Sequence, residues 1–266
     1  FGQAIRFATG SDNGFIGGET VSQRNVFANN RRVAALFADG TSVFNNLVGR
    51  RLDGSLQARS GNPAIFNSGE GTLIGGPAFR RNVVEGHGGG VFVFAGSAEI
   101  SQCRITEVGA FAIDLGPAGP TPNDPDDPDS GPNGLQNHPV LTSVSTNGTQ
   151  TFLTARLDSN PNTTYRIEWF RATETTLGLA QAEAFLGDTT VTTDANGDAT
   201  ASFTVSQALP LGSFVTATAT SLATVPGMTS ELAPPERVTG PELVVNSTND
   251  SNDGTCNGTH CSLREA

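Results

Sequence analysis

Four aspartates within six residues are the densest concentration of chemistry in the chain. Asp124, Asp126, Asp127 and Asp129 lie in Asn123-Asp-Pro-Asp-Asp-Pro-Asp-Ser-Gly131. Calcium takes six to eight oxygen ligands, and a loop of this kind can supply several of them. The spacing is not that of an EF-hand, and the prolines stiffen the loop. It therefore reads either as a calcium site or as a solvated linker. Cys256 and Cys261 bracket Asn-Gly-Thr-His260. A disulfide, a free pair and a metal site with His260 are all open readings, although zinc normally needs four ligands and only three are local. Cys103 lies in Ile100-Ser-Gln-Cys-Arg-Ile105, the context of a buried small apolar residue rather than a nucleophile. His87 sits in the glycine-rich turn Glu85-Gly-His-Gly-Gly-Gly90. A polysaccharide hydrolase needs paired carboxylates. The acids before residue 116 are Asp12, Glu19, Asp39, Asp53, Glu70, Glu85, Glu99, Glu107 and Asp114, and they form no tight motif. All 15 basic residues are Arg, which excludes Schiff-base, pyridoxal and Walker-lysine chemistry. No catalytic residue is assigned, no enzyme is expected, and no cofactor is implied beyond the possible calcium.

The elements that must position these residues belong to a sparsely charged chain. Of 266 residues, 15% are charged, against roughly 25% in an average soluble protein. The net charge of −11 argues against non-specific nucleic-acid binding. The charge is uneven. Residues 1–115 hold ten Arg and nine acids, a net of +1, and residues 116–266 hold five Arg and 17 acids, a net of −12. No run of 18 apolar residues exists, so no membrane span is expected.

Internal repetition organises residues 1–115. Phe15-Ile-Gly-Gly18 and Arg24-Asn-Val-Phe27 recur as Leu73-Ile-Gly-Gly76 and Arg81-Asn-Val-Val84. The offset is 58 residues from Ile16 to Ile74 and 57 from Asn25 to Asn82. Short Val-, Ile- and Phe-rich runs lie between, punctuated by Gly, Asn and Ser. This predicts a parallel β-helix, the spacing dividing into three coils of about 19–20 residues that stack to share one core. Ile16, Val26, Ile74, Val83, Phe92 and Ile113 are expected inside. Asn25, Asn45 and Asn82 are read either as turn residues or as a stacked hydrogen-bonded ladder. With most Phe expected in the core, no exposed aromatic platform is foreseen.

Residues 116–138 form a Pro/Gly/Asp-rich linker. Residues 139–235 read as an immunoglobulin-like β-sandwich, with strands at 140–145, 150–157, 164–170, 183–186, 189–193, 199–205 and 214–220. Tyr165 and Trp169 alternate on one strand and are expected in its core. Residues 236–266 form a C-terminal segment, with Leu243-Val244-Val245 as a short strand. The fold class is thus all-β: a parallel β-helix, an immunoglobulin-like sandwich and a C-terminal extended segment.

Cys261-Ser-Leu263-Arg-Glu-Ala266, preceded by Val244-Val-Asn-Ser-Thr248 and Asp253-Gly-Thr-Cys256, resembles the motif of the CSLREA-domain bacterial surface proteins with right-handed parallel β-helix repeats. The Ile-Gly-Gly and Arg-Asn-Val repeats resemble that family's coils. The segments Ala112–Gly116 and Gly131–Leu141 resemble the closure of its helix. The resemblance implies an extracellular or cell-surface structural protein, and in that setting a Cys256–Cys261 disulfide is favoured. In such proteins the hexapeptide opens a β-helix module, whereas here it comes last and Phe1 reads as mid-helix. Head-to-tail association of copies is therefore expected. Leu243, Val244, Val245 and Leu263 of one unit would cover the coil near Phe1 of the next. A glycan-binding adhesin is the alternative, and a polysaccharide lyase or hydrolase a more distant one.

Overall fold

Glycine and asparagine corners cut residues 3–115 into strands too short to bury a face alone. The structure, a computed structural model, describes residues 3–51, 53–58, 61–175 and 177–240. Phe1, the 241–266 segment and both of its cysteines lie outside the described residues. The chain is all-β, with three short 3-10 turns and no α-helix among the described residues. No helix there is long and apolar enough to cross a membrane.

The first half winds through three parallel ladders in rotation. The first round is β1 (Gln3–Phe7), β2 (Phe15–Gly17) and β3 (Asn25–Phe27). The second is β4 (Arg32–Leu36), β5 (Ser42–Phe44) and β6 (Asn46–Val48), and the third β7 (Pro63–Asn67), β8 (Thr72–Gly75) and β9 (Val83–Val84). The fourth is β10 (Gly89–Val93), β11 (Ala98–Ser101) and β12 (Arg104–Ile105), after which β13 (Ile113–Leu115) returns to the first ladder. The inner rows are in register. Ile5, Ala34, Ile65, Val91 and Ile113 line ladder one. Ile16, Val43, Ile74 and Ile100 line ladder two, and Phe27, Val48, Val84 and Ile105 ladder three. Together they make one core.

The 58-residue repeat spans two rounds, not three. The steps are 27 residues from Ile16 to Val43, 31 from Val43 to Ile74 and 26 from Ile74 to Ile100. The repeat marks rounds with the same corner. Gly17 and Gly75 both take left-handed backbone, and a Cβ on them would lie 1.8 Å from the Phe44 carbonyl oxygen and 2.3 Å from that of Ser101. Val26, Val83 and Phe92 face outward, because side chains alternate along a strand and their neighbours Phe27, Val84, Val91 and Val93 take the core. The asparagine ladder exists, but through Asn46 rather than Asn45. Asn25 Nδ2 donates to Asn46 Oδ1 at 3.0 Å, and Asn46 Nδ2 donates to Asn82 Oδ1 at 3.0 Å. Asn45 has left-handed backbone at its corner and accepts from Arg24 Nε.

The second half contains β14 (Val140–Thr146), β15 (Thr151–Asp158), β16 (Thr164–Glu174), β17 (Ala180–Thr192), β18 (Asp198–Val205), β19 (Phe214–Ser221), β20 (Met228–Thr229) and β21 (Glu236–Arg237). The antiparallel sheet β14–β15–β18 packs on the antiparallel strands β16, β17 and β19 over a second core, where Tyr165 and Trp169 are fully buried. The two strands expected at 183–186 and 189–193 are one strand. Gly187 makes a bulge opposite Trp169 instead of a turn, and the Phe203 ring fills the space a Cβ there would occupy. β17 also pairs antiparallel with β12 at Ile105–Ala182, so ladder three continues into the second half as one sheet.

Candidate functional site

At the β11–β13 end of the parallel stack each ladder is finished by a group from the second half. Ala98 N–H donates to Asn133 Oδ1, Ile100 N–H to Thr229 Oγ1 at 2.9 Å, and Gln102 N–H to Glu168 Oε2 at 2.9 Å. Leu115 N–H donates to Glu231 Oε1 at 3.0 Å, and β12 is met by β17. These caps sit on rigid elements. Glu168 lies inside β16, fully buried, and also accepts from Ser101 Oγ at 2.6 Å. Burial pushes its carboxyl above the usual range, against the pull of Ser101, Arg166 and Gln102. Glu231 is raised by burial as well, while accepting from Leu115, Thr121 N–H and Thr121 Oγ1. Arg166 closes the junction through Glu99, at 2.8 Å.

At the other end β1, β2 and β3 are each the last strand of their ladder among the described residues. Phe15 is 64% exposed and Val26 40% exposed at this edge. An uncovered strand edge presents a row of unpaired N–H and C=O groups that a further strand can take up.

Within the acidic loop, carboxylate oxygens of Asp124, Asp127 and Asp129 lie within 4.8 Å of one another. Asp126 does not join them. It is exposed, and its backbone N–H donates to Asp158 Oδ1 at 2.9 Å, which fixes the loop. Asp127 is buried and accepts from Gln136 Nε2 at 2.8 Å, from the Asn137 N–H and from Ser159 Oγ. Burial lifts its carboxyl to about 6; Ser159 and Asn137 oppose this, and the neighbouring Asp129 and Asp124 add to it. Asp124 Oδ1 is buried without a hydrogen-bond partner. Three clustered carboxylates, with an unpartnered oxygen on Asp124, are the start of a hard-cation site. The 116–138 segment is more than a tether, since Asp127, Asn133, Gln136 and Asn137 are all buried.

His87 is buried, with Nδ1 2.8 Å from the Glu85 carbonyl and Gln57 on its other side, and burial lowers its pKa. Glu85 is buried between Arg50 and Arg104. Cys103 is buried at the end of the asparagine ladder, 3.8 Å from Asn82 Nδ2, and burial raises its thiol to about 11. These groups are committed to contacts within the parallel stack.

Aromatic side chains are on the outside after all. Phe37, Phe66, Phe92 and Phe94 cluster on the outer face of ladder one, with ring centroids 5.4–6.0 Å apart. The alternation Val91-Phe-Val-Phe94 already carried the signal: two valines on one face imply two phenylalanines on the other. The capping residues left no such signal, because Asn133, Glu168, Thr229 and Glu231 are single polar residues in otherwise ordinary strands and loops.

No protein-family model matches the chain, and no curated protein matches it.

Proposed function

We propose that this chain is an extracellular structural module whose described first half is a parallel β-helix, closed at one end by an immunoglobulin-like sandwich and lengthened at the other by a neighbouring unit. The single observation behind this reading is the asymmetry of the ends. Side chains from β16, β20 and the 131–138 and 230–233 segments occupy the N–H groups of the last round. The strands β1, β2 and β3 have no such cover among the described residues. A parallel stack accepts further rounds at such an edge at the inter-strand spacing of about 4.8 Å. A contact between opposite ends is heterologous and propagates into a filament unless the rotation closes a ring. The net charges of the two halves, +1 and −12, are complementary in sign. The resemblance of residues 243–266 to the opening of a CSLREA-type module supports that segment as the source of the added round.

Electron microscopy and sedimentation of the purified chain at rising concentration test the reading, alongside a protein with two units in one chain. Filaments from single units, or amide protection at Gln3–Phe7 in the second unit of the tandem protein, support it. Single units that stay monomeric, together with freely exchanging amides at that strand in the tandem protein, overturn it.

A further inference from the structure

The outer face of ladder one is built as a row running across the strands. Arg6, Ala35, Phe66, Phe92 and Asp114 are in register, one per round. Phe37 and Phe94 flank the row, with Phe94 56% exposed and its ring stacked on Phe66 at 5.4 Å. The small Ala35 leaves room between Arg6 and Phe66, and it is there that Phe37 and Phe66 approach to 5.7 Å. Two guanidinium groups lie on these rings: Arg6 over Phe37 at 4.9 Å and Arg32 over Phe66 at 4.6 Å.

Neither arginine has a carboxylate partner among the described residues, and Arg32 Nε is buried with no hydrogen bond. Elsewhere in this half arginines do find acids: Arg50 and Arg104 share Glu85, and Arg80 pairs with Glu19. Two cations left without anions on an exposed aromatic surface are complementary to an anionic ligand. At the far end of the row, Phe92, Phe111, Pro63 and Ala118 line a cavity of about 200 Å³ against Asp114. Among the described residues the Asp114 carboxylate accepts the Gly119 N–H, at 3.2 Å, and has acceptor capacity left for a hydroxyl.

We propose that this face binds a linear polysaccharide bearing uronic-acid carboxylates, laid along the stack with its acidic groups toward Arg6 and Arg32. The row crosses five strands in four inter-strand steps and so spans roughly 19 Å, which suits a short stretch of polymer better than a compact metabolite. The backbone groups of the inner strands are committed to the ladder, so a peptide cannot add here as a strand. Phenyl faces accept the flat C–H faces of sugar rings. A guanidinium held over a ring by cation–π attraction still offers its terminal N–H groups, and a planar carboxylate can take two of them in parallel. Asp114 accepts from a sugar hydroxyl and fixes direction. Single-stranded nucleic acid also stacks on aromatic rings, but two cations on a chain of net charge −11 are few for a phosphate polymer.

Calorimetry of the full chain at low salt, with oligogalacturonate as the probe, tests the proposal. Cello-oligosaccharide, a heparin oligosaccharide and a dT oligonucleotide serve as comparators. Oligogalacturonate binding that exceeds all three is expected. Arg6→Gln and Arg32→Gln should each weaken it about tenfold, the size of one lost charge-assisted contact. Phe94→Ala should weaken it in a protein that still unfolds in one cooperative transition, which separates lost contact from lost fold. Tighter binding of heparin or dT, no binding of oligogalacturonate, or equal binding by folded Arg6→Gln, Arg32→Gln and Phe94→Ala proteins overturns it. None of these outcomes depends on whether units join end to end.

Discussion

The side chain of Asn133 holds both backbone groups of Ala98. The Ala98 N–H donates to Asn133 Oδ1 at 2.5 Å, and Asn133 Nδ2 donates to the Ala98 carbonyl at 2.8 Å. One side-chain amide thus stands in for the next strand of ladder two. The same Nδ2 donates to the Thr229 carbonyl at 2.7 Å, tying the cap to β20.

Asn133→Ala leaves buried groups of Ala98 and Thr229 unpaired at a position with left-handed backbone. The expected loss is about 2–4 kcal/mol, read as a lower urea midpoint. A change below about 0.5 kcal/mol would mean that water replaces the cap without loss.

The inward and outward rows make opposite demands at positions that look alike in sequence. Ile74 is fully buried and Val26 is 40% exposed. Ile74→Asp should cost several kcal/mol, because it places a carboxylate in the core without a partner. Val26→Asp should change stability by about 0.5 kcal/mol or less. Equal losses in denaturant unfolding would contradict the register of ladder three.

Calcium should bind the acidic loop weakly at neutral pH, through Asp124, Asp127 and Asp129. In calorimetry Asp127→Asn and Asp129→Asn should reduce the affinity, and Asp126→Asn should not. Protons compete with the metal at Asp127, whose carboxyl titrates at about 6, so binding should be weaker at pH 5 than at pH 7.5. Unchanged heats in all three variants would remove the loop as a site.

Asp127 also sets a direction for stability against pH. Its folded pKa, about 6, lies above the ordinary 3.8. The folded state therefore holds the proton more tightly than the unfolded chain. That stabilisation is complete below about pH 4 and is lost as pH rises through about 6. With calcium removed, the melting temperature should rise from pH 7 to pH 5, and Asp127→Asn should flatten the rise. The raised carboxyls of Glu168 and Glu231 act in the same direction.

Cys103 should resist thiol reagents in the folded protein. It is buried, and its thiol is pushed up to about 11, so almost no thiolate exists at pH 8. Rapid labelling without denaturant would show that the fourth round opens readily.

Composition and punctuation made the all-β class legible, and the positions of the β14, β15, β16, β18 and β19 strands followed from alternation and Asn-Gly turns. The repeat itself was visible, but its division was not. Ile16 and Ile74 share a corner type two rounds apart, and the intervening round carries Val43-Phe44 with a different corner. Facing was the harder question. In runs such as Asn25-Val-Phe27 both residues after the Asn are apolar, so a period of two fits either register. In the acidic loop, composition pointed to four aspartates alike. Only the turn around Asp126 decides that three converge. The caps were invisible because each joins residues far apart in sequence.

That separation also imposes an order in time. The Ile100 N–H waits for Thr229 and the Leu115 N–H for Glu231, partners 129 and 116 residues later in the chain. At a synthesis rate of about 5–20 residues per second, the last round emerges many seconds before the groups that close it. Through that interval the strand edges of the last round lack the groups that cover them in the folded chain. The later antiparallel strands are thus a late-arriving stopper, and a ribosome stalled between residues 115 and 229 would hold a stack whose last round is still ready to pair.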